Sequence, residues 1–481
     1  MGSAGGSVAR RRRYPVASKA HLGPPPAPPR PELLPEAPLF MRLEAVVDEE
    51  FRAPKRARMQ QLIDAEQAKL AETGGPLCTC GKRMKSKGWK RPGFLTRFGN
   101  VIVGGPAYRC EPCKRQERPI LKHLGMEGSG RMAGSLPRLV ALLAVVVPYQ
   151  LAPQLLASLL GIQVSTMTAW RCVQRLGEAQ DGHIWALAEH HQDPNLELPE
   201  VTTAPASVVV GVDGCTLGMQ VHAERRQAPK DGQPLPALPK VEEGHFREVK
   251  TGVLLLPEER VETSPGRRSV VRRKLVTCID NSDKVFDLMW SMLLTLGWLG
   301  PHTVVIVVGD GAPWIWNRAK MFTNRCEILD FWHAVEKAWE FARLRFKDDA
   351  AQASTFMSSL TADLRAGNVH GVISMLRELE TAFSGELETV SSEQKEKLAE
   401  LIRYYVTNES RMQYAEYVSK GYGIGSGAVE SAHKQVVQAR MCQAGMRWSE
   451  DGARRLLALR VLLLNGGWSS LDRLAMKRIA A

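Results

Sequence analysis

The sequence has no apolar run long enough to cross a membrane. Its longest run, LVALLAVVV at residues 139–147, stops at Pro148 and is about half of the ~20 residues that a spanning helix needs. Residues 10–13 are all arginine, and no apolar segment of the kind found in secretory signals follows them. We therefore expect an intracellular protein without a membrane partner.

The cysteines do not form the pattern of a disulfide framework. Of the nine, four form two close pairs and five are scattered singly. An odd total with this clustering indicates reduced thiols and one metal site. Cys78-x-Cys80 and Cys110-x-x-Cys113 are separated by 29 residues, which predicts a zinc-ribbon-like element in which four thiolates bind Zn²⁺. The C-x-C pair is tighter than the usual C-x-x-C, and His123 is an alternative ligand.

Acidic residues are fewer than basic ones. Lys and Arg number 64 against 51 Asp and Glu, giving a net charge of +13 and a pI near 9.4. Such an excess favours a polyanionic partner, nucleic acid first, although a merely basic surface would give the same numbers. Arginines 10–13 fit nucleic-acid contact and a solubilising tail equally well.

Basic and aromatic residues alternate between the cysteine pairs. Cations interleaved with aromatic rings suit phosphate contact combined with base stacking. Trp89 and Phe94 are the candidate stacking rings. The candidate DNA-binding cations are Arg83, Lys85, Lys87, Lys90 and Arg91.

A helix-turn-helix pattern follows the cysteine region. APQLLASLLGIQVSTMTAWRCVQRLGEA predicts a helix, a turn at Gly161, and a second helix capped by Ser165. Met167, Trp170, Val173 and Leu176 recur at helical spacing, which is typical of an amphipathic helix. An ordinary helical hairpin would give nearly the same pattern.

Aspartates follow two buried strands in the C-terminal two-thirds of the chain. Asp213 follows VVVGV and Asp310 follows VVIVVG, each with a glycine after it. Two such acids and a third can hold a pair of divalent cations about 4 Å apart for phosphodiester chemistry. Asp280, Asp330 and Glu430 are candidates for the third. The alternatives are Asp-Gly turn caps and, for Glu430, a surface i,i+4 pair with Lys434.

The glycines of GYGIGSGAVESAHKQ, residues 421–435, are not a phosphate cradle. They alternate with other residues, no predicted strand precedes them, and no Lys-Ser/Thr pair closes the loop. A hinge that presents Glu430 in the first turn of a helix is the better interpretation.

Four motifs together resemble the DDE transposases of bacterial insertion sequences, closely the ISKra group. They are VVVGVDG, VVGDGAPWIW, ILDFWHAVEKAW and GIGSGAVESAHKQVVQARMCQAGMRWSEDGARRLLALR. The resemblance implies an α/β, RNase H-like mixed sheet with flanking helices and an all-helical insertion. It implies Asp213, Asp310 and Glu430 as catalytic acids holding two Mg²⁺ (or Mn²⁺), and Asp330 with His333 as auxiliary residues.

The resemblance also implies partners and a division of the chain. We expect DNA transposase activity on terminal inverted repeats and target DNA, with Lys434 near phosphate, in a homodimer or larger assembly in the bacterial cytoplasm with the nucleoid. A DNA-binding regulator without chemistry and a structure-selective nuclease are the alternatives. The expected regions are a Pro-rich basic tail (1–40), a helical segment (41–72), the zinc-ribbon-like element (73–125), a helical helix-turn-helix-like domain (130–200), the catalytic domain (205–345 and 421–465), and a helical insertion (346–420).

Overall fold

The computed structural model describes residues 39–70, 75–126, 130–193, 195–196, 203–220, 246–264, 267–270, 272–279, 281–347, 349–385 and 390–471. Arginines 10–13, Asp280 and the polar loop at 226–243 lie outside these residues. The chain divides into two compact units, one comprising residues 1–137 and 153–164, the other residues 138–152 and 165–481. No helix in the described part of the chain is both long enough and apolar enough to span a membrane.

The first unit combines one long helix with short antiparallel strands. Its elements are α1 (Leu39–Leu70), β1 (Lys85–Lys90), β2 (Gly93–Thr96), β3 (Gly99–Ile102), β4 (Gly105–Arg109), β5 (Gln116–Glu117) and α2 (Pro119–His123). Strand β4 pairs with β1 and β5, while β2 and β3 form a separate hairpin. Ile63 of α1 packs with Phe94, Val101 and Val103 in the core beside this hairpin. Phe94 is only 4% exposed, so the prediction that it stacks on bases is wrong.

Three helices follow, as the sequence predicts. They are α3 (Leu136–Val146), α4 (Leu151–Leu160) and α5 (Thr166–His190). The Ser165 hydroxyl accepts a hydrogen bond from Thr168 N at 3.1 Å, which confirms the predicted cap. Val173 and Leu176 are buried, but Met167 and Trp170 are 53% and 40% exposed. Of the four apolar residues at helical spacing, only the last two are therefore buried.

The second unit is a mixed α/β unit built on a five-stranded sheet. Its strands and the helices between them are β6 (Ser207–Gly218), β7 (Phe246–Leu255), β8 (Arg260–Ser264), β9 (Arg267–Val270), β10 (Lys274–Ile279), α6 (Ser282–Leu296), β11 (Val304–Gly309), α7 (Pro313–Ala319) and β12 (Arg325–Leu329). The sheet order is β10-β7-β6-β11-β12, and β8 and β9 form a separate hairpin. The sequence predicted one strand over RRSVVRRKLVTCID, whereas β9 and β10 divide it between two sheets.

Strand β6 lies at the centre of the sheet, which explains its run of buried valines. It pairs in parallel with β11 and antiparallel with β7. The antiparallel ladder continues to the pair Gly218–Phe246, so β6 runs five residues past Asp213. The sequence prediction that a strand ends at Asp213 is wrong, because β7 supplies hydrogen-bond partners beyond it.

The remaining chain is helical in its described parts. It comprises α8 (Phe331–Phe346), α9 (Ala350–Arg365), α10 (Val369–Gly385), α11 (Ser392–Asn408), α12 (Tyr414–Ser419), α13 (Gly427–His433), a π-helical segment (Lys434–Gln438), α14 (Ala439–Met441) and α15 (Glu450–Leu464). Helices α9 to α12 occupy the predicted insertion. Helix α13 returns to the sheet and contacts β6 and β7.

Candidate functional site

The four clustered cysteines meet at one point. The Sγ atoms of Cys78, Cys80, Cys110 and Cys113 all lie within 4.8 Å of one another, and those of Cys80 and Cys110 are 3.6 Å apart. Tight turns bring each pair inward: Gly81 N donates to Cys78 O, and Cys110 N donates to Arg115 O, both at 2.8 Å. The C-x-C spacing therefore allows a four-thiol cluster that could hold a metal ion.

The thiols of this cluster interact strongly with each other. The backbone N–H of Cys80 lowers the pKa of Cys78 to about 6. The hydrogen bond with Cys80 raises the pKa of Cys113 to about 12. A tetrahedral, thiolate-binding cation such as Zn²⁺ suits this donor set. His123 is not part of it, because its Nε2 lies 2.7 Å from Glu66 Oε2.

Strand β1 presents the predicted basic residues to solvent. All six of its residues, including Lys85, Lys87 and Lys90, are exposed, and Arg83 and Arg91 are exposed as well. Trp89 is 50% exposed on the same strand. Lys87 pairs loosely with Glu111 at 3.4 Å, an interaction that solvent weakens.

Asp213 lies on β6, and Asp310 directly follows the neighbouring parallel strand β11. Gly211 of β6 stands opposite Val308 of β11 in the last pair of this ladder, and Asp213 and Asp310 each come two residues later in the chain. One oxygen of each carboxylate is used locally: Asp213 accepts from Gly214 N at 2.7 Å, and Asp310 accepts from Ala312 N at 2.9 Å. The turn-cap interpretation thus accounts for one oxygen of each acid.

The turn after Asp310 is fixed by the helical insertion. Tyr404 of α11 donates its hydroxyl to the Asp310 carbonyl oxygen at 2.7 Å. Gly311 has φ +96, and a Cβ there would lie 2.8 Å from the Tyr404 ring. The position therefore requires glycine for both conformation and space.

Helix α13, which carries Glu430, packs on the strand of Asp213. Val429 packs on Gly211, where an added Cβ would lie 2.5 Å from Val429 Cγ2. His433, three residues after Glu430, has its Nε2 3.6 Å from Asp213 Oδ2. Glu430 itself is exposed. Two residues of one short helix thus contact β6 on either side of Glu430.

His433 is a buried polar residue in contact with Asp213. It is 4% exposed, and among the described residues neither ring nitrogen makes a hydrogen bond of normal geometry. Burial lowers the pKa of His433, although the Asp213 carboxylate opposes that shift. The imidazole is therefore neutral near pH 7.

Asp330 directly follows β12 and donates its backbone N–H to Gly309 O of β11, and its side chain links these strands to the loop before α13. Its Oδ1 accepts from Trp332 N and His333 N, which caps α8. Its Oδ2 accepts from Ser426 N, and Phe331 N donates to Ile424 O at 2.8 Å. Asp330 is fully buried. It therefore holds the chain in place four residues before Glu430.

His333 does not share this role. Its side chain is 36% exposed, and its Nδ1 lies 3.7 Å from Glu336 of the same helix. Within the described residues, Asp330 and His333 are linked through the His333 backbone N–H.

The π-helical segment interrupts the regular α-helical spacing of the residues that follow Glu430. Lys434 begins it and is exposed. In the part of the chain that the structure describes, Glu430 and Lys434 form no ion pair. Arg460 of α15 is buried and donates to the carbonyl oxygens of Val436 at 2.6 Å and Gln435. A guanidinium thus satisfies carbonyls of the segment, and π-helical turns of this kind are frequent at functional sites.

Sequence reasoning missed a buried lysine beside the central strand. Lys250 of β7 stands opposite Gly214 and is 5% exposed. Its Nζ lies 2.8 Å from Glu248 Oε2 and 4.2 Å from the centre of the Trp314 ring. A Glu-x-Lys inside the otherwise apolar strand EVKTGVLLL was the available signal, since a charge seldom occupies a central strand unpaired.

The ligand atoms of the candidate acids Asp213, Asp310 and Glu430 do not form a group as close as that of the four thiols. Among described residues, the cysteines are the one group of three or more metal-binding side chains whose ligand atoms all lie within 4.8 Å. A cavity of about 810 Å³ lies elsewhere, between α5, α6, β10 and α15, and none of Asp213, Asp310 and Glu430 lines it.

Comparison with known proteins matches part of the chain to a family that is described as uncharacterised. Residues 259–477, less than half of the chain, match the Uncharacterised protein family (UPF0236). The chain is also similar to a UPF0236 protein of Caldanaerobacter subterraneus subsp. tengcongensis, with 26% identity over 163 residues, 34% of this chain. The match spans 30% of that relative's length. The region matched to the family contains Asp310, Asp330 and Glu430 and begins after Asp213.

Proposed function

We propose that this protein is a DNA transposase whose RNase H-like domain uses Asp213, Asp310 and Glu430 as its catalytic acids. The observation that carries the proposal is the seating of α13 on β6. Val429 against Gly211 and His433 against Asp213 fix the helix of Glu430 beside the strand of Asp213.

The strand order supports the RNase H-like interpretation. Taken in chain order, the five strands run third, second, first, fourth, fifth across the sheet, with only the second antiparallel to its neighbours. Asp213 lies on the first strand, and Asp310 directly follows the fourth. Fold alone does not specify chemistry, so the proposal depends on the acids.

The donor set fits hard divalent cations. Carboxylate oxygens are the ligands that Mg²⁺ and Mn²⁺ take in proteins, and Asp213, Asp310 and Glu430 all reach solvent. Two bound Mg²⁺ ions would supply activation of the attacking oxygen and stabilisation of the leaving one.

The protein's own residues would orient these acids. Neutral His433 can donate one N–H to Asp213 without adding a positive charge that competes with a metal ion. Tyr404 holds the turn of Asp310, and Asp330 holds the loop that leads to Glu430.

Recognition of the transposon ends is assigned to the basic strand and the helices that follow it. Exposed β1 offers cations beside Trp89, on a zinc-ribbon-like element held by the cysteine cluster. The exposed Met167 and Trp170 near the start of α5 suit the second helix of a helix-turn-helix, whose N-terminal residues contact bases.

The test uses the full chain with duplex DNA carrying the element's ends, Mg²⁺ and a target plasmid. Joined products are expected. Cleavage without joining would indicate a structure-selective nuclease, and binding alone a regulator without chemistry.

Glu430→Gln tests the assignment of the acids. It should lower the cleavage rate at least about a hundredfold and leave DNA binding intact. Mutating a residue that only contacts a metal ligand already costs about 10–100-fold in metal affinity or activity. Glu450→Gln is the matched control, since Glu450 is also an exposed acid in the first turn of a helix. Undiminished cleavage by Glu430→Gln would overturn the assignment.

A further inference from the structure

The first half of α1 exposes an apolar face. Phe40, Leu43, Val47 and Phe51 are 71%, 53%, 54% and 53% exposed. Their spacing of three, four and four residues places them on one side of the helix. Together with Glu44, Asp48 and Lys55 they line a shallow groove of about 430 Å³. Large apolar side chains gathered in one exposed patch mark an interaction surface.

The second half of α1 is the part that packs within its own unit. Ile63 is 5% exposed in the core, and Met59 and Leu70 pack against the same cluster. Gln60 exchanges two hydrogen bonds with the backbone of Ile102, both at 2.8 Å. The helix is therefore anchored at its C-terminal end while its N-terminal face lacks an apolar partner among the described residues.

The charges of α1 are opposite on the two sides of Phe51. Residues 44–50 hold four acids and no base, whereas residues 52–58 hold four bases and no acid. The acids are Glu44, Asp48, Glu49 and Glu50, and the bases are Arg52, Lys55, Arg56 and Arg58. When two copies of this segment lie antiparallel, the acidic run of each therefore faces the basic run of the other.

We propose that this face binds a second copy of the chain, with the two α1 helices antiparallel and crossing at Phe51. In this register Phe51 meets Phe51, Glu44 lies opposite Arg58, and Phe40 lies opposite Leu62, itself 49% exposed. A two-fold axis gives each contact twice. A parallel pair in register would bring acid against acid, which is unfavourable.

The pairs within one helix are consistent with this arrangement. Arg52 lies 2.7 Å from Asp48 and 3.8 Å from Glu49 of its own chain. These exposed pairs bridge the change of sign at Phe51 and are individually weak. Net charge of opposite sign therefore remains on the two flanks, where the partner helix would lie.

The test measures the association of the full-length protein by sedimentation velocity over a dilution series, without DNA. The first variant reverses the acidic side (Glu44→Lys, Asp48→Lys, Glu50→Lys). The second reverses the basic side (Lys55→Glu, Arg56→Glu, Arg58→Glu). The third combines both sets.

The wild-type chain is expected to dimerise. Each one-sided variant should raise the dimer dissociation constant at least about tenfold, because several exposed like-charge contacts replace favourable ones. An equimolar mixture of the two one-sided variants should form a heterodimer, and the combined variant should dimerise again. Recovery in the mixture also shows that both variants are folded.

Three outcomes would overturn the proposal. A wild-type chain that stays monomeric throughout the series excludes the self-interface. A dimer that tolerates both one-sided reversals must use another surface. A monomer whose residues 40–51 are protected from hydrogen exchange would show that another part of the same chain covers the face.

Discussion

Asp330→Asn should separate the helix-capping role of this carboxylate from its role in holding the loop before Glu430. The Asn side-chain oxygen can still accept from Trp332 N and His333 N, so the α8 cap survives. The amide nitrogen cannot accept from Ser426 N, which lies in a residue only 9% exposed. A buried N–H left without its acceptor costs about 1–3 kcal/mol.

The expected result is a loss of about 1–3 kcal/mol in the free energy of unfolding of the second unit. Denaturant titration of the full chain measures it, and amide exchange of residues 421–433 should accelerate most. Asp330→Ala should lose about 0.5–2 kcal/mol more, the usual value of an N-cap. DNA cleavage should fall with the order of the loop, since Ser426 lies four residues before Glu430.

Asp349→Asn is the matched control. Asp349 caps α9 by accepting from Gln352 N at 2.9 Å, and it is exposed. Because Asn caps a helix about as well as Asp, this variant should stay within about 0.5 kcal/mol of wild type. If Asp330→Asn matches Asp349→Asn in stability and in the exchange of residues 421–433, the bond to Ser426 does not hold the loop.

Three other predictions concern metal, packing and buried charge. The chain should bind one Zn²⁺, and Cys110→Ser should abolish that binding and unfold the cysteine region of the first unit, because structural zinc supplies folding free energy. Metal analysis and circular dichroism measure the two effects, and full zinc retention by the variant would contradict the cluster. Gly211→Ala should displace Val429 and lower cleavage with DNA binding unchanged, whereas Gly182→Ala, with open space around its Cβ, should not. Arg460→Met should cost about 2–5 kcal/mol in denaturant titration, because buried carbonyls lose their donor, and a neutral result would show that the π-helical segment does not need it.

Local sequence signals predicted most of the elements, because they depend on interactions between near neighbours. The cap at Ser165, the buried run before Asp310 and the helices of residues 346–420 all follow from periodicity and capping chemistry. The cysteine spacing likewise predicted a cluster that could hold a metal ion. The order of charges in residues 44–58 can be read from the sequence, but the sequence could not show that α1 exposes an apolar face beside them.

The tertiary structure decided which distant residues meet. Strand β6 continues past Asp213 because β7 pairs with it there, and Phe94 is buried in the core of the first unit. Asp330 accepts a hydrogen bond from Ser426, which is 96 residues away in the chain. Seating α13 on Gly211 also buried His433 beside Asp213. Residue type and spacing describe what a segment can do alone, whereas burial and partner choice depend on segments far away in the chain. The sequence by itself therefore supplied the candidate acids, and only the folded chain decided which residues hold them in place.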